Sequence, residues 1–171
     1  MVGTLSFDSQ RIINKYYPEG TPLRDIYMRH ARSVTQFALE ISARRQLPLD
    51  HAQIEAAAMI HDIGIFLCDA PGIHCHGTAP YIQHGPLGAQ LLRREGAPEW
   101  AARVAERHTG VGIGELVPES LLEKLICYAD KFYSKSGSME QKSLERVEAS
   151  IARFGDENLA RFHALHALFT N

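Results

Sequence analysis

Six residues of metal-ligand type, His30, His61, Asp62, His84, His108 and Asp130, are spread along this chain, and two of them are adjacent in Met59-Ile60-His61-Asp62-Ile63-Gly64. Imidazole suits zinc, iron, nickel and copper, whereas magnesium and calcium favour all-oxygen shells, so four histidines with two aspartates point to transition metals. Six ligands exceed what one tetrahedral site uses, and in two-metal sites the ions stand about 3.5–4 Å apart with a shared nucleophile between them. The expected division gives His30, His61, Asp62 and Asp130 to one ion and Asp62, His84 and His108 to the other, with Asp62 as the bridge and the candidate catalytic carboxylate. Such a pair of divalent transition-metal ions, iron first with manganese, zinc or nickel as alternatives, lowers the pKa of bound water and orients a phosphoryl oxygen. Adjacent side chains on a helix diverge. A doublet that serves one centre must therefore sit where the backbone turns.

The elements that have to deliver these ligands read as helices. Ile26, Val34, Phe37, Ala38 and Ile41 form a stripe that His30 joins, with Thr21-Pro22 as its start and Gln46-Leu47-Pro48 near its end. Asp50 with Gln53 is a capping box that opens a second helix through Ala56-Ala57-Ala58 to the doublet, with Gly64 as its terminator. From Cys68 to Gln83, with Pro71, Gly72, Gly77 and Pro80, no period is sustained, and a long loop closing over the pocket is expected. Pro86 and Gly96 bracket a short helix, which puts His84 just before its first turn. Pro98 opens the next, ending near His108 and the glycines Gly110, Gly112 and Gly114. Pro118-Glu119 begins a helix whose stripe, Leu122, Leu125, Ile126 and Ala129, leaves Asp130 beside it, a costly place for a carboxylate unless it is paired or metal-bound. Ser138 with Gln141 leads into Leu144, Val147, Ile151 and Phe154 and closes at Gly155, and a last helix carries Leu159, Phe162, Leu165 and Phe169.

No segment alternates as a strand would, so the expected fold is an all-α helical bundle forming a single domain over 1–171, with a core of about 23–133 and C-terminal helices at about 139–169. The 171 residues are 45% hydrophobic and 22% charged with a formal net charge of −2, which gives no basic footprint for nucleic acid. Cys68, Cys75 and Cys127 are odd in number and form no CxxC pair, which argues against a disulfide framework and for a reducing, cytoplasmic setting. Met1 to Gln10 lacks a basic region followed by an apolar one, and the densest apolar run, Ala56 to Ile60, is too short to cross a bilayer. No feature of the chain specifies an oligomeric state.

In order and type, His30, His61-Asp62 and Asp130 resemble the HD superfamily of metal-dependent phosphohydrolases, and His84 and His108 match the subset that holds two metals. The resemblance runs from about Leu23 to Tyr133. Within it, His84-Gly85-Pro86-Leu87-Gly88-Ala89, Arg107-His108-Thr109-Gly110 and the segment from Leu122 to Asp130 look like bacterial HD hydrolases that split dinucleoside tetraphosphates symmetrically. HD-GYP cyclic-dinucleotide phosphodiesterases also begin His-Asp-Ile-Gly but follow with Lys and later carry Gly-Tyr-Pro. Here Ile65 takes the place of that Lys and no Gly-Tyr-Pro occurs, which counts against cyclic dinucleotides.

The resemblance implies a phosphohydrolase that cleaves an ester or anhydride of a small nucleotide through a hydroxide bridging two metals, with Lys131, next to Asp130, binding substrate phosphate. A di-iron oxygenase is the alternative, since the same ligand set on an HD scaffold is also found in enzymes that activate dioxygen. Arg29, Arg32 and Arg107 are read either as further phosphate partners or as solvated surface. His74-Cys75-His76 matches no common zinc spacing, His163 and His166 are surface or packing residues, and His51 is expected in solvent.

Overall fold

A computed structural model describes residues 7–109, 111 and 116–171. Its helices are α1 (Ser9–Tyr16), α2 (Pro22–Arg45), α3 (His51–Ile60), α4 (His84–Arg94), α5 (Glu99–Arg107), α6 (Leu121–Asp130), α7 (Leu144–Ala152) and α8 (Asp156–Thr170), so the all-α fold class is the observed one. Side-chain caps set several starts. Thr21 Oγ1 accepts from Arg24 N at 3.2 Å, Asp50 Oδ2 from Gln53 N at 3.1 Å and Ser120 Oγ from Glu123 N at 3.1 Å, each satisfying one amide that the first helical turn leaves without a partner.

Several boundaries differ from the sequence expectation, each for a local reason. Helix α3 ends at Ile60 and not at Gly64, because Ile63 N bonds to Ile60 O and Ile65 N to Asp62 O, three-residue spacings that wind the chain into tight turns. Helix α4 begins at His84 itself; Pro86 then falls within the first turn, where its missing N–H has no intrahelical partner to lose. Ser143, not Ser138, caps α7, since Ser138 Oγ is spent on a local turn with Glu140 N. Phe154 lies beyond α7. Helix α1 escaped the sequence reading altogether; Asp8 caps it through Arg11 N. The 68–83 loop contains a short antiparallel pair, β1 (Asp69–Ala70) with β2 (Cys75–His76), flanked by single 3₁₀ turns. Gly110, Gly112 and Gly114, the expected stop after His108, lie outside the described residues.

Two apolar clusters organise the packing. One gathers Val34, Ala38, Ala57, Ala58, Leu125, Ile126, Tyr128, Phe162 and Phe169 from α2, α3, α6 and α8. The other gathers Ile12, Tyr17, Tyr27, Ile60, Ile63, Leu92 and Ala102 from α1 to α5. His30 sits on α2 next to Ala31 of the second cluster and one turn before Val34 of the first, so it lies where the two clusters meet along that helix. All three cysteines are buried and outside any disulfide. Among the described residues no helix is long and apolar enough to cross a membrane.

Helix α5 is tied to α6 by an ion-pair network in which Arg103 Nε donates to buried Glu123 at 3.1 Å and Arg107 Nη1 to Glu119 at 2.7 Å. This fixes the spacing between His108, just past α5, and Asp130, at the end of α6. Burial would raise the Glu123 carboxyl, but the Glu119 amide and Arg103 outweigh it and hold it below its ordinary range. A carboxyl lowered on folding stabilises above its unfolded pKa and ceases to do so as pH falls through its folded value. Glu123→Gln should therefore be destabilised by about 1–3 kcal/mol at pH 7, with the gap to the parent closing below about pH 4, as read from urea melts across pH.

Candidate metal centre

Five elements converge on Asp62. His30 comes from mid-α2, His61 and Asp62 from the turn after α3, His84 from the first residue of α4, His108 from the C-cap of α5 and Asp130 from the last residue of α6. Helix ends bring their side chains to a common point more easily than helix middles, and three of the histidines share one device. Nδ1–H donates to the carbonyl three residues earlier, His61 to Ala58 at 2.6 Å, His84 to Tyr81 at 2.5 Å and His108 to Ala105 at 2.7 Å. A carbonyl can only accept, so the proton is on Nδ1 and the Nε2 lone pair is left to ligate.

The carboxylate of Asp62, 1% exposed, divides its two oxygens between two sets of imidazoles. Oδ2 lies 3.1 Å from Nε2 of both His30 and His61. Oδ1 lies 3.1 Å from His108 Nε2 and 3.3 Å from His84 Nε2. Asp130 Oδ1 completes the first set at 2.8 Å from His30 Nε2 and 3.1 Å from His61 Nε2. Two ligand groups result, His30, His61, Asp62, Asp130 and Asp62, His84, His108, each with ligand atoms within 4.8 Å of one another. They coincide with the division expected from sequence.

These residues fit a cation in each group. His84 and His108 present their Nε2 atoms to each other at 3.0 Å while both Nδ1 protons are already donated, so two lone pairs face each other unless a positive charge lies between them. Asp62 Oδ2 is buried against three nitrogens, His30 Nε2 and His61 Nε2 at 3.1 Å and Lys135 Nζ at 3.0 Å, so its charge is met by the ammonium as well as by the ligand histidines.

The two groups differ electrostatically. Burial would lower His61, but Asp62 and Asp130 outweigh it and raise the imidazole to about 10, whereas burial takes His108 down to about 4. Burial opposes ionisation of Asp62 and Asp130 as well, yet His61 and Lys135 beside Asp62, and His30 and His61 bonded to Asp130, hold both carboxyls well below the usual range. At neutral pH an ion held by the first group would have to displace the His61 proton, while His108 would offer a neutral nitrogen.

Backbone contacts hold the doublet in place. Tyr17 Oη donates to Ile63 O at 2.7 Å and Tyr27 Oη to Met59 O at 2.6 Å, satisfying carbonyls freed where α3 stops, and the two rings stack with centroids 4.3 Å apart. Gly64 lets α4 approach the doublet backbone to backbone. A Cβ there would overlap the His84 carbonyl oxygen and stand 2.6 Å from Gly88 N. Tyr17→Phe should cost about 1–2 kcal/mol by stranding the Ile63 carbonyl and weaken retention of metal during dialysis; unchanged melting and metal content would rule out the clamp.

Lys131 lines the cavity at the mouth of the cluster, but its Nζ donates to the carbonyls of His108 at 2.8 Å and Cys127 at 3.2 Å, so part of its donor capacity is spent within the chain. Lys131 Nζ also stands 3.6 Å from Asp130 Oδ2, and a second ammonium, Lys135, reaches the shared carboxylate, with Nζ 3.0 Å from Asp62 Oδ2 and 5.6 Å from the Tyr81 ring centroid. Sequence reasoning missed it because Ser134-Lys135-Ser136-Gly137-Ser138 is indistinguishable from a polar linker. Arg29 donates to Ser138 O and Arg107 belongs to the Glu119 network. His166 bonds Tyr128 Oη, His163 faces Glu148, and His51 is exposed. His74, Cys75 and His76 join no ligand group among the described residues.

Comparison with known proteins agrees with this architecture. The family model described as HD domain matches residues 27–134. Curated relatives include proteins named tRNA (cytidine(56)-2'-O)-methyltransferase from Picrophilus torridus, 27% identical over 70% of this chain and 35% of the relative, and from Thermoplasma volcanium, 26% identical over 93% of this chain and 46% of the relative. An uncharacterized protein of Methanocaldococcus jannaschii is 29% identical over 59% of this chain and 62% of its own length. The chain thus spans between about a third and a half of the two methyltransferases it matches. No solved structure matches significantly.

Proposed function

We propose, from the premise that this chain belongs to the HD-domain family, that it is a phosphohydrolase which opens a phosphate ester or anhydride of a small nucleotide at a two-metal centre. The family and the buried His/Asp cluster fit a metal-dependent hydrolase. The observation that carries the finer reading is the split of Asp62, whose Oδ2 faces His30 and His61 while Oδ1 faces His84 and His108. Two transition-metal ions, when bound, supply a water of near-neutral pKa and offset charge on the phosphoryl oxygens. The chain's own residues do the rest: His61, His84 and His108 are oriented by backbone carbonyls, and Lys131, Lys135 and Lys142 line the cavity that leads to them. Ammonium groups so placed bind phosphate as point charges.

The name of the archaeal relatives offers tRNA as another partner. The lysines favour a small molecule, because they line a cavity of about 310 Å³, at the lower end of ordinary ligand pockets.

Metal analysis and phosphate release together test the proposal. Protein purified without added metal should carry about two equivalents of transition metal, in keeping with a paired site. Chelation should abolish phosphate release and lower the melting temperature by several degrees, since a ligand bound only to the folded state stabilises it. Oxygen uptake by iron-loaded protein, with no phosphate released from any nucleotide, would replace hydrolysis with dioxygen chemistry.

A further inference from the structure

The cavity has a lining of two chemical kinds. Its lining includes His84, His108, Asp130 and the three lysines on the one hand and the apolar side chains Ile82, Val147, Ile151 and Phe154 on the other. Large apolar side chains are costly to leave in water, and among the described residues only Ile82, Phe154 and Leu168 are exposed ones. Two of these three, Phe154 at 66% exposure and Ile82 at 46%, belong to this cavity. Asn158 lines it too. Its Nδ2 donates to Phe154 O at 2.8 Å, which identifies the other amide atom as oxygen, and that Oδ1 is buried without a hydrogen-bond partner.

We infer that the part of the cavity lined by Phe154 and Asn158 is a nucleobase subsite, in which Phe154 stacks on the base and Asn158 Oδ1 accepts from a base N–H. The assignment rests on the phosphohydrolase reading for the other end of the ligand only. A sugar phosphate would leave Phe154 and Ile82 uncovered. An alkyl phosphate would cover them and leave Asn158 Oδ1 without a donor, and a buried acceptor without a donor is a standing cost. A base supplies both a flat apolar face and an N–H at its edge, and every base has a face on which an aromatic ring can stack. The cavity, about 310 Å³, suits one nucleoside moiety and leaves the second half of a dinucleotide in solvent.

Calorimetric titration of the metal-loaded protein with nucleoside 5′-phosphonates tests this without turnover, since their C–P bond replaces the ester. Ribose 5-phosphonate and hexylphosphonate serve as controls. Nucleoside phosphonates should bind at least tenfold more tightly than either control, with a preference among the four bases. Phe154→Ala should weaken them by roughly tenfold and leave ribose 5-phosphonate unchanged, while Phe154→Trp should keep the affinity. Asn158→Ala, with its fold checked by melting, should flatten the preference among bases. Equal binding of hexylphosphonate and nucleoside phosphonates, or a Phe154→Ala protein as tight as the parent, would overturn the subsite. Tight, Phe154-dependent binding without hydrolysis of any nucleotide would keep the subsite and remove the phosphohydrolase.

Discussion

If the chain is the two-metal phosphohydrolase proposed, Asp62→Ala protein will lose both metal equivalents and phosphate release together. Each carboxylate oxygen serves a different set of imidazoles, so one substitution strips a ligand from both groups. The activity loss should be on the order of 10³-fold or more, the equivalent of about 4 kcal/mol of transition-state stabilisation that metal ions supply. His108→Ala removes a ligand from one group only and should retain about one equivalent, because His30, His61, Asp62 and Asp130 remain. Asp62→Ala also strands the Lys135 ammonium, which would keep a buried charge without its partner. Circular dichroism must therefore accompany the metal assay. Folded Asp62→Ala protein that retains two ions and full phosphate release would sink the shared-carboxylate mechanism.

Gly64→Ala should cost about 1–3 kcal/mol of stability, the usual penalty for overfilling a packed site, and should reduce the metal content from two equivalents toward one. Gly64 has φ −85°, a backbone conformation open to any residue, so what the position requires is space. The obstructing atoms are the His84 carbonyl oxygen and the Gly88 amide nitrogen, both main chain, and neither can rotate away. Helix α4 must retreat, and His84, its first residue, retreats with it. The first group, built from α2, α6 and the doublet, does not depend on that contact. Loss of stability with both ions kept would show that α4 relaxes without moving His84; loss of the His30 group first would contradict the geometry.

Much of this was legible along the chain. Apolar periodicity, Thr21-Pro22, the Asp50–Gln53 box and Gly96 located α2, α3 and α4 to within a few residues, because caps and stripes are local devices read over one or two turns. The six ligand-type residues could be named for a related reason: histidines and carboxylates on or beside buried stripes need compensation, and few compensations suit so many at once. Their division into two groups sharing Asp62 followed from ligand counting.

Other features have no local signature. The donation of three Nδ1 protons to carbonyls three residues back depends on where each helix ends, and α3 ends four residues before the glycine expected to stop it. Lys135 sits in an ordinary polar loop, and only the fold after α6 carries its ammonium to Asp62. Tyr17 and Tyr27 read as core aromatics; their hydroxyls become clamps only because the end of α3 is packed against them. Phe154 reads as the last residue of an apolar stripe but lies past α7, where it meets the cavity and not the core.

Residue types and periodicity by themselves determined an all-helical chain whose buried imidazoles and carboxylates suit transition metals. Tertiary structure alone decided which oxygen of Asp62 meets which histidine, how closely Gly64 lets α4 approach, and that Lys135 reaches Asp62. The physical reason is range: capping and amphipathic burial act over a few residues, whereas ligand geometry is set by contacts between helices far apart in sequence, and a shift of one ångström there separates a metal site from a cluster of hydrogen bonds.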